Sequence, residues 1–137
     1  MHNGMIFLFV LLAFHVTAGY KEHKIPCPLT STINQKHIDD GVFVAQVQVK
    51  SVAPKGNVNE VKLKYNKLYW WYTYYWSDVT ILRGVPTTLT IWNNRNCPLD
   101  TTKLYVLGCK MYDEPDCHFM KLEEDVTPQE WNLIKKW

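Results

Sequence analysis

Cysteines and histidines are the residues of this chain whose chemistry could define a site. Thiolates and imidazoles bind zinc when they cluster, as in a C-x-x-C pair, and no such pair is present. The chain also lacks an H-E-x-x-H motif, a nucleophile elbow and a glycine-rich phosphate loop. We therefore expect no metal, no cofactor and no enzymatic activity. The cysteines and histidines that follow the first nineteen residues are Cys27, Cys97, Cys109, Cys117, His23, His37 and His118.

Disulfide formation is the alternative use of the cysteines. An even number of cysteines in an exported chain indicates a disulfide framework, here two bridges. Four cysteines allow three pairings, and their positions in the sequence leave the choice open.

An aromatic stretch at residues 69–76 is the second unusual feature, with seven aromatic residues out of eight. In a strand, alternate side chains face opposite ways, and one of the two faces lines a small core. The other face either packs under a helix or loop or is exposed, and exposed Trp and Tyr favour binding interfaces. We predict a partner-binding surface here, with burial of both faces as the alternative. Its residues are Trp70, Tyr72, Tyr74 and Trp76.

The hydrophobic pattern predicts mostly strands, because apolar and polar residues alternate with a period of two. A capping-box spacing at 32–35 predicts a short helix toward Ile38, and Thr127, Pro128 and Glu130 predict the start of a helix near the end. Several short strands flanked by helices suggest a closed or nearly closed antiparallel barrel. The predicted strands are 42–50, 61–76, 79–82, 87–92, 103–108 and 118–122.

The amino-terminal segment predicts export. Residues 1–19 contain no charged side chain, and an apolar run at 5–14 precedes the small residues at 17–19, which is typical of a signal peptide. We expect residues 20–137 to form one secreted, extracellular domain. Its 15 basic and 13 acidic residues nearly balance, so we expect neither a nucleic-acid partner nor a membrane-binding patch.

Together these segments make the mature chain similar to a netrin-like domain, the module that forms the inhibitory half of tissue inhibitors of metalloproteinases. The resemblance implies a mainly β fold: a five-stranded antiparallel barrel of the oligonucleotide/oligosaccharide-binding type, with short helices at both ends. The matching pieces are Cys27 ahead of a helix, the strand at 40–47, Arg83-Gly84, residues 89–92 leading to Cys97, the strand at 104–108, and Cys117 nine residues before 126–128.

The resemblance also carries expectations about disulfides and inhibition. It implies a bridge from Cys27 to Cys117, which leaves Cys97 with Cys109; the alternative joins Cys27 to Cys97 and Cys109 to Cys117. In inhibitory members, an amino-terminal cysteine chelates the protease zinc. Ile25 stands at the matching position and lies inside the chain, so the resemblance does not imply that mechanism here.

The segment containing Ile25, Pro26 and Pro28 occupies the edge that reacts in the family. It either enters a partner's cleft or tethers the start of the chain to the barrel. The chain also resembles netrin-like excretory-secretory proteins of parasitic nematodes, which implies interaction with a host. We expect a secreted protein that binds an extracellular or host protein. The alternative is an inhibitor of metalloproteinases, which a chain trimmed to begin at Cys27 would favour.

Overall fold

In a computed structural model, five antiparallel strands form one sheet, with a short helix before it and another after it. The structure describes residues 24–71, 85, 87–93, 96–110 and 116–135. The predicted signal peptide at 1–19 and the predicted strand at 79–82 lie outside these ranges. None of the described helices is long and apolar enough to cross a membrane. The elements are α1 (Gln35–Asp39), β1 (Phe43–Lys55), β2 (Val58–Trp71), β3 (Thr88–Trp92), β4 (Leu104–Cys109), β5 (Cys117–Leu122), a 3-10 turn (Glu123–Asp125) and α2 (Pro128–Ile134).

A long hairpin of β1 and β2 forms the centre of the sheet. Phe43, Ala45 and Val47 are fully buried, and the alternating residues Gln46 and Gln48 point to the opposite face, as the alternation predicted. β1 continues five residues beyond the predicted end at residue 50, because β2 pairs with it as far as Lys55 and Val58. The turn contains Gly56 with a φ of 60°, a backbone conformation that favours glycine.

The sheet has the order β3-β2-β1-β4-β5, so β3 and β5 are its two edges. The mainly β, five-stranded antiparallel architecture is therefore confirmed. Within the described residues, no ladder joins β3 to β5, so the strands themselves do not close the expected barrel. The amino-terminal segment instead bonds to both edges: Ile25 bridges to Ile91 in β3, and Leu29 bridges to Met120 in β5.

Apolar residues cover both faces of this curved sheet. One face encloses an inner core that includes Phe43, Val61 and Leu107. The opposite face packs against the two helices in a second, outer cluster. Both helices begin at capping boxes. The first is formed by Asn34 with His37, two residues after the predicted spacing at 32–35, and the second by the predicted pair Thr127 and Glu130. The outer cluster contains Ile33, Ile38, Val44, Trp70, Val106, Phe119, Val126 and Ile134.

A buried ion pair holds α2 on the sheet. The Nζ of Lys121 lies 2.7 Å from the Oε1 of Glu130, and the two residues are 9% and 4% exposed. Lys121 also donates to the carbonyl oxygen of Ser31, and Glu130 accepts hydrogen bonds from the amides of Ile33 and Thr127. Burial alone would raise the pKa of Glu130, but the hydrogen bonds hold that pKa at about 2, so the carboxylate stays ionised near neutral pH.

The disulfide pairing corrects the expectation drawn from the resemblance. All four cysteines are bridged, but Cys27 pairs with Cys97, and Cys109 pairs with Cys117. Cys27 follows the bond between Ile25 and β3, which brings it close to Cys97 beyond the end of that strand. Cys109 and Cys117 are register partners on β4 and β5. The strand order therefore decides the pairing, and the preferred bridge between Cys27 and Cys117 is wrong.

Replacing Glu130 with Gln should destabilise the fold strongly. The change leaves the Lys121 ammonium buried without its counter-charge, and breaking a buried pair in this way costs about 3 kcal/mol or more. Urea unfolding at pH 7, followed by tryptophan fluorescence, measures the free energy of unfolding.

The matched control for this experiment is Glu124→Gln. Glu124 binds Lys103 at 3.1 Å, but both side chains are exposed, so the loss should stay below about 1 kcal/mol. Combining Glu130→Gln with Lys121→Met should restore part of the stability, since it removes the unpaired charge. Equal losses in Glu130→Gln and Glu124→Gln would contradict the importance given to the buried pair.

Candidate functional site

The predicted aromatic surface begins at the end of β2. Trp70 is described, whereas Tyr72, Tyr74 and Trp76 lie outside the described residues. Trp70 is 6% exposed and packs in the outer cluster with Ile38 and Phe119. It therefore packs mainly in the core beneath the helices. Because the other three residues are not described, the predicted partner-binding surface stays a prediction.

An irregularity in β2 explains why strict alternation does not describe this region. Val44 pairs with Trp70, but the next residue of β1, Ala45, pairs with Leu68, so Tyr69 is an extra residue. Tyr69 thus packs against the outer cluster together with Trp70. Its ring lies edge-on to Trp131, and its hydroxyl donates to Glu123. Desolvation and that carboxylate both raise the pKa of the phenol, which keeps Tyr69 neutral.

The exposed aromatic residue of the described stretch is Trp71, with 37% of its surface accessible. It borders a cavity of about 430 Å³ between the end of α1, the start of β1 and the end of β2. Register places Trp71 opposite Phe43, so the sheet fixes its backbone beside the loop that follows α1. The cavity is lined by Ile38, Asp39, Asp40, Gly41, Val42, Trp70 and Trp71.

The cavity combines apolar walls with two carboxylates. Asp39 accepts a hydrogen bond of 2.8 Å from Gln35 one turn earlier in α1. Asp40 lies 3.7 Å from Lys36, but those side chains are 44% and 84% exposed, so water screens the pair. Carboxylates beside an indole ring suit a cationic group, which gains from both the charge and the aromatic face. The site can therefore accept a lysine or arginine side chain.

Two histidines determine how α1 presents its carboxylates to the cavity. His37 accepts a hydrogen bond at Nδ1 from the amide of Asn34, which requires that nitrogen to be unprotonated. The Nε2 of His118 lies 2.6 Å from the carbonyl oxygen of His37. Desolvation lowers the pKa of both rings, although Asp40 raises that of His37, and the bond to His37 and nearby Asp116 raise that of His118. Lys110 lowers both. Burial prevails, so both histidines are neutral at pH 7.

The amino-terminal segment is integrated into the sheet. The amide of Ile25 donates to Thr90, and its carbonyl oxygen accepts from Trp92. Ile25 is 3% exposed and Pro28 is buried, whereas Pro26 is exposed. The geometry therefore agrees with the tethering alternative and leaves Pro26 as the accessible residue of the three predicted.

Among the described residues, no group of histidine, cysteine, aspartate or glutamate residues is arranged to hold a metal ion.

Comparison with known proteins gives the chain its family. Residues 25–135 match a family model named AceES-2 and described as excretory-secretory protein 2. The chain belongs to this family. A search of curated proteins finds no match. The crystal structure of Ancylostoma ceylanicum Excretory-Secretory Protein 2 is similar, with 27% sequence identity and a TM-score of 0.52 over 86% of this chain and 100% of that chain.

Family membership confirms part of what the sequence predicted. A family of excretory-secretory proteins implies secretion, and the expected resemblance to nematode proteins of this kind is confirmed. The netrin-like and inhibitor-like assignment stays a prediction.

Sequence reasoning did not identify the carboxylates of the cavity. Asp39, Asp40 and Gly41 follow the helix predicted toward Ile38, and in the structure Asp39 is the last residue of α1 and Asp40 is its C-cap. Their proximity to Trp71 depends on the register of β1 with β2. A short acidic turn directly before a strand is a weak signal, and the sequence pattern alone does not separate a cavity wall from a helix end.

We expect the free energy of unfolding to fall as the pH drops below about 6.5, the ordinary value for histidine. The folded-state pKa values of His37 and His118 are depressed, so between those values and 6.5 the unfolded chain binds more protons, and protonation favours unfolding. This stability is fully present above pH 6.5. Urea unfolding at intervals from pH 8 to pH 5 measures it.

His37→Gln tests the assignment, because glutamine also serves at this capping-box position and does not titrate. The slope of stability against pH should be smaller in this variant than in the wild type. Glu130 does not contribute to this slope, since its pKa of about 2 places its effect on stability at lower pH. An unchanged slope in His37→Gln would remove His37 from the explanation.

Proposed function

We propose that the protein is a secreted binding protein without enzymatic activity, which acts on an extracellular protein of a host through the cavity beside Trp71. Its membership in a family of excretory-secretory proteins supports secretion. The similar solved structure, from the parasite Ancylostoma ceylanicum, supports a role in contact with a host. The binding site itself rests on the geometry of the cavity.

The observation that carries the proposal is the exposed indole of Trp71 at a cavity with two carboxylates. Tryptophan is enriched among the residues that dominate the energy of protein interfaces. A partner that inserts a lysine or arginine would pair it with Asp39 and Asp40 while its alkyl stem packs on Trp71. The rigid sheet beneath Trp71 reduces the conformational entropy lost on binding.

We do not extend the proposal to inhibition of metalloproteinases. Zinc chelation in the resembling family requires a free amino group and carbonyl oxygen at the position that Ile25 occupies here. Both backbone groups of Ile25 are hydrogen-bonded to β3, and its side chain is buried in the inner core. The lost cysteine and the integrated segment together favour a binding protein over an inhibitor that uses this edge.

The proposal predicts that Trp71→Ser weakens binding at least about tenfold while the melting temperature changes little, because hot-spot truncations commonly cost 2 kcal/mol or more. The purified protein would be tested by biolayer interferometry against an array of purified host extracellular domains. Asp39→Asn with Asp40→Asn should also weaken binding, and Trp71→Tyr should retain more affinity than Trp71→Ser.

Val52→Ser is the matched control. Val52 is 39% exposed, similar to Trp71, but lies near the turn at the far end of the hairpin. The Val52→Ser variant should bind the host extracellular domain with unchanged affinity. The proposal fails if no extracellular domain binds saturably, or if the bound domain is insensitive to Trp71→Ser. Nanomolar inhibition of zinc metalloproteinases in a parallel assay would instead favour the inhibitor alternative.

A further inference from the structure

Four exposed lysines share the outer face of the β1–β2 hairpin, away from the cavity. Lys62 and Lys64 alternate with the buried residues Val61 and Leu63, so their side chains point outward. Lys50 follows buried Val49 in β1, and Lys67 is the register partner of Gln46, whose side chain also points outward. The four form what we call the lysine face: Lys50, Lys62, Lys64 and Lys67.

Register brings these lysines close together. Lys64 pairs with Gln48, and an irregularity between Val49 and Ser51 places Lys50 beside Lys62. Residues two apart on a strand are separated by about 7 Å, and neighbouring strands lie about 5 Å apart. Three positive charges therefore surround Gln48, although the chain as a whole has a net charge of only +2.

Acidic residues do not neutralise this face. None of the four lysines forms an ion pair with another described residue. Glu60, the nearest carboxylate along β2, interacts electrostatically with Lys62, but Lys55 binds it directly at 2.8 Å. On the β4 side, Glu123 is held by Gln46 and Glu124 by Lys103, so a bound anion would avoid that side. A bound anion would therefore extend from β1 across β2 toward β3.

We infer that the lysine face binds a sulfated polysaccharide. A linear chain of sulfate groups matches an array of neighbouring ammonium groups, which attract it by charge and by the release of its counter-ions. Gln48 and Thr88 stand beside the lysines and can hydrogen-bond sugar hydroxyls. Secretion, implied by the family, places this face where sulfated polysaccharides of the extracellular matrix are present.

Other polyanions fit the lysine face less well. Single-stranded nucleic acids bind through aromatic rings that stack on bases, and no described ring stands between the lysines. The nearest, Tyr69, is half-buried, with Trp131 on one side and the Nζ of Lys67 5.0 Å from its ring. Surface binding to a membrane needs several large apolar residues that enter the lipid beside the charges, whereas a single exposed one, Leu104 opposite Gln48, lies beside the described lysines.

The test compares two triple variants that remove the same charge. Lys50→Gln, Lys62→Gln and Lys64→Gln together should reduce affinity for immobilised heparin at least about tenfold at physiological salt. The slope of log affinity against log salt concentration should fall by about two to three, since each lost contact removes roughly one released ion. The control replaces Lys36, Lys110 and Lys135 with Gln on other surfaces, and its affinity should change less than about twofold.

Competition identifies the ligand class, with circular dichroism confirming that each variant is folded. Heparin should compete, whereas desulfated heparin, single-stranded DNA and phosphatidylserine vesicles should compete at least tenfold less well. Equal losses in both triple variants would overturn the assignment to this face. Equal competition by any of the other three would overturn the assignment to sulfated polysaccharide. Neither result depends on Trp71, so the outcome is separate from that of the proposed protein partner.

Discussion

The buried ion pair of Lys121 and Glu130 joins three parts of the chain that are distant in sequence: the segment before α1, strand β5 and helix α2. Charges at this depth are costly unless each of their hydrogen-bonding groups has a partner. Here the partners are the backbone groups of residues 31, 33 and 127, and they are correctly placed in one arrangement of the three segments. Hydrophobic contacts alone would tolerate a shift of α2 along the sheet, whereas this network does not.

The position of α2 decides what the aromatic stretch can do. With both helices on the outer face, the sheet has two buried sides, and Trp70 becomes core. The sheet remains accessible where the helices end. At one end Trp71 borders the cavity beside α1, and beyond the helices the hairpin displays its lysines. The described part of the fold therefore offers two chemically different surfaces, one aromatic and acidic, the other basic.

These two surfaces correspond to the two binding roles proposed above. A basic face can concentrate the protein on anionic material, while a small cavity with a rigid aromatic residue can select one protein from many. The amino-terminal segment contributes to stability at the same time, since it bonds to both edge strands and carries the bridge from Cys27 to Cys97. These bonds hold the backbone of the segment in place.

Local features were predictable from the sequence by itself. Period-two alternation located the described strands, and the capping residues Thr127 and Glu130 located the second helix, because these patterns depend on neighbours within a few positions. The first helix was also expected, although its capping box lies two residues later than predicted. The tertiary structure decided the rest. The disulfide pairing follows from strand order, the packing of Tyr69 on the same side as Trp70 from an extra residue in β2, and the grouping of the lysines from the register of two strands. Strand order and register are set by contacts between residues far apart in the chain, and no local pattern specifies them.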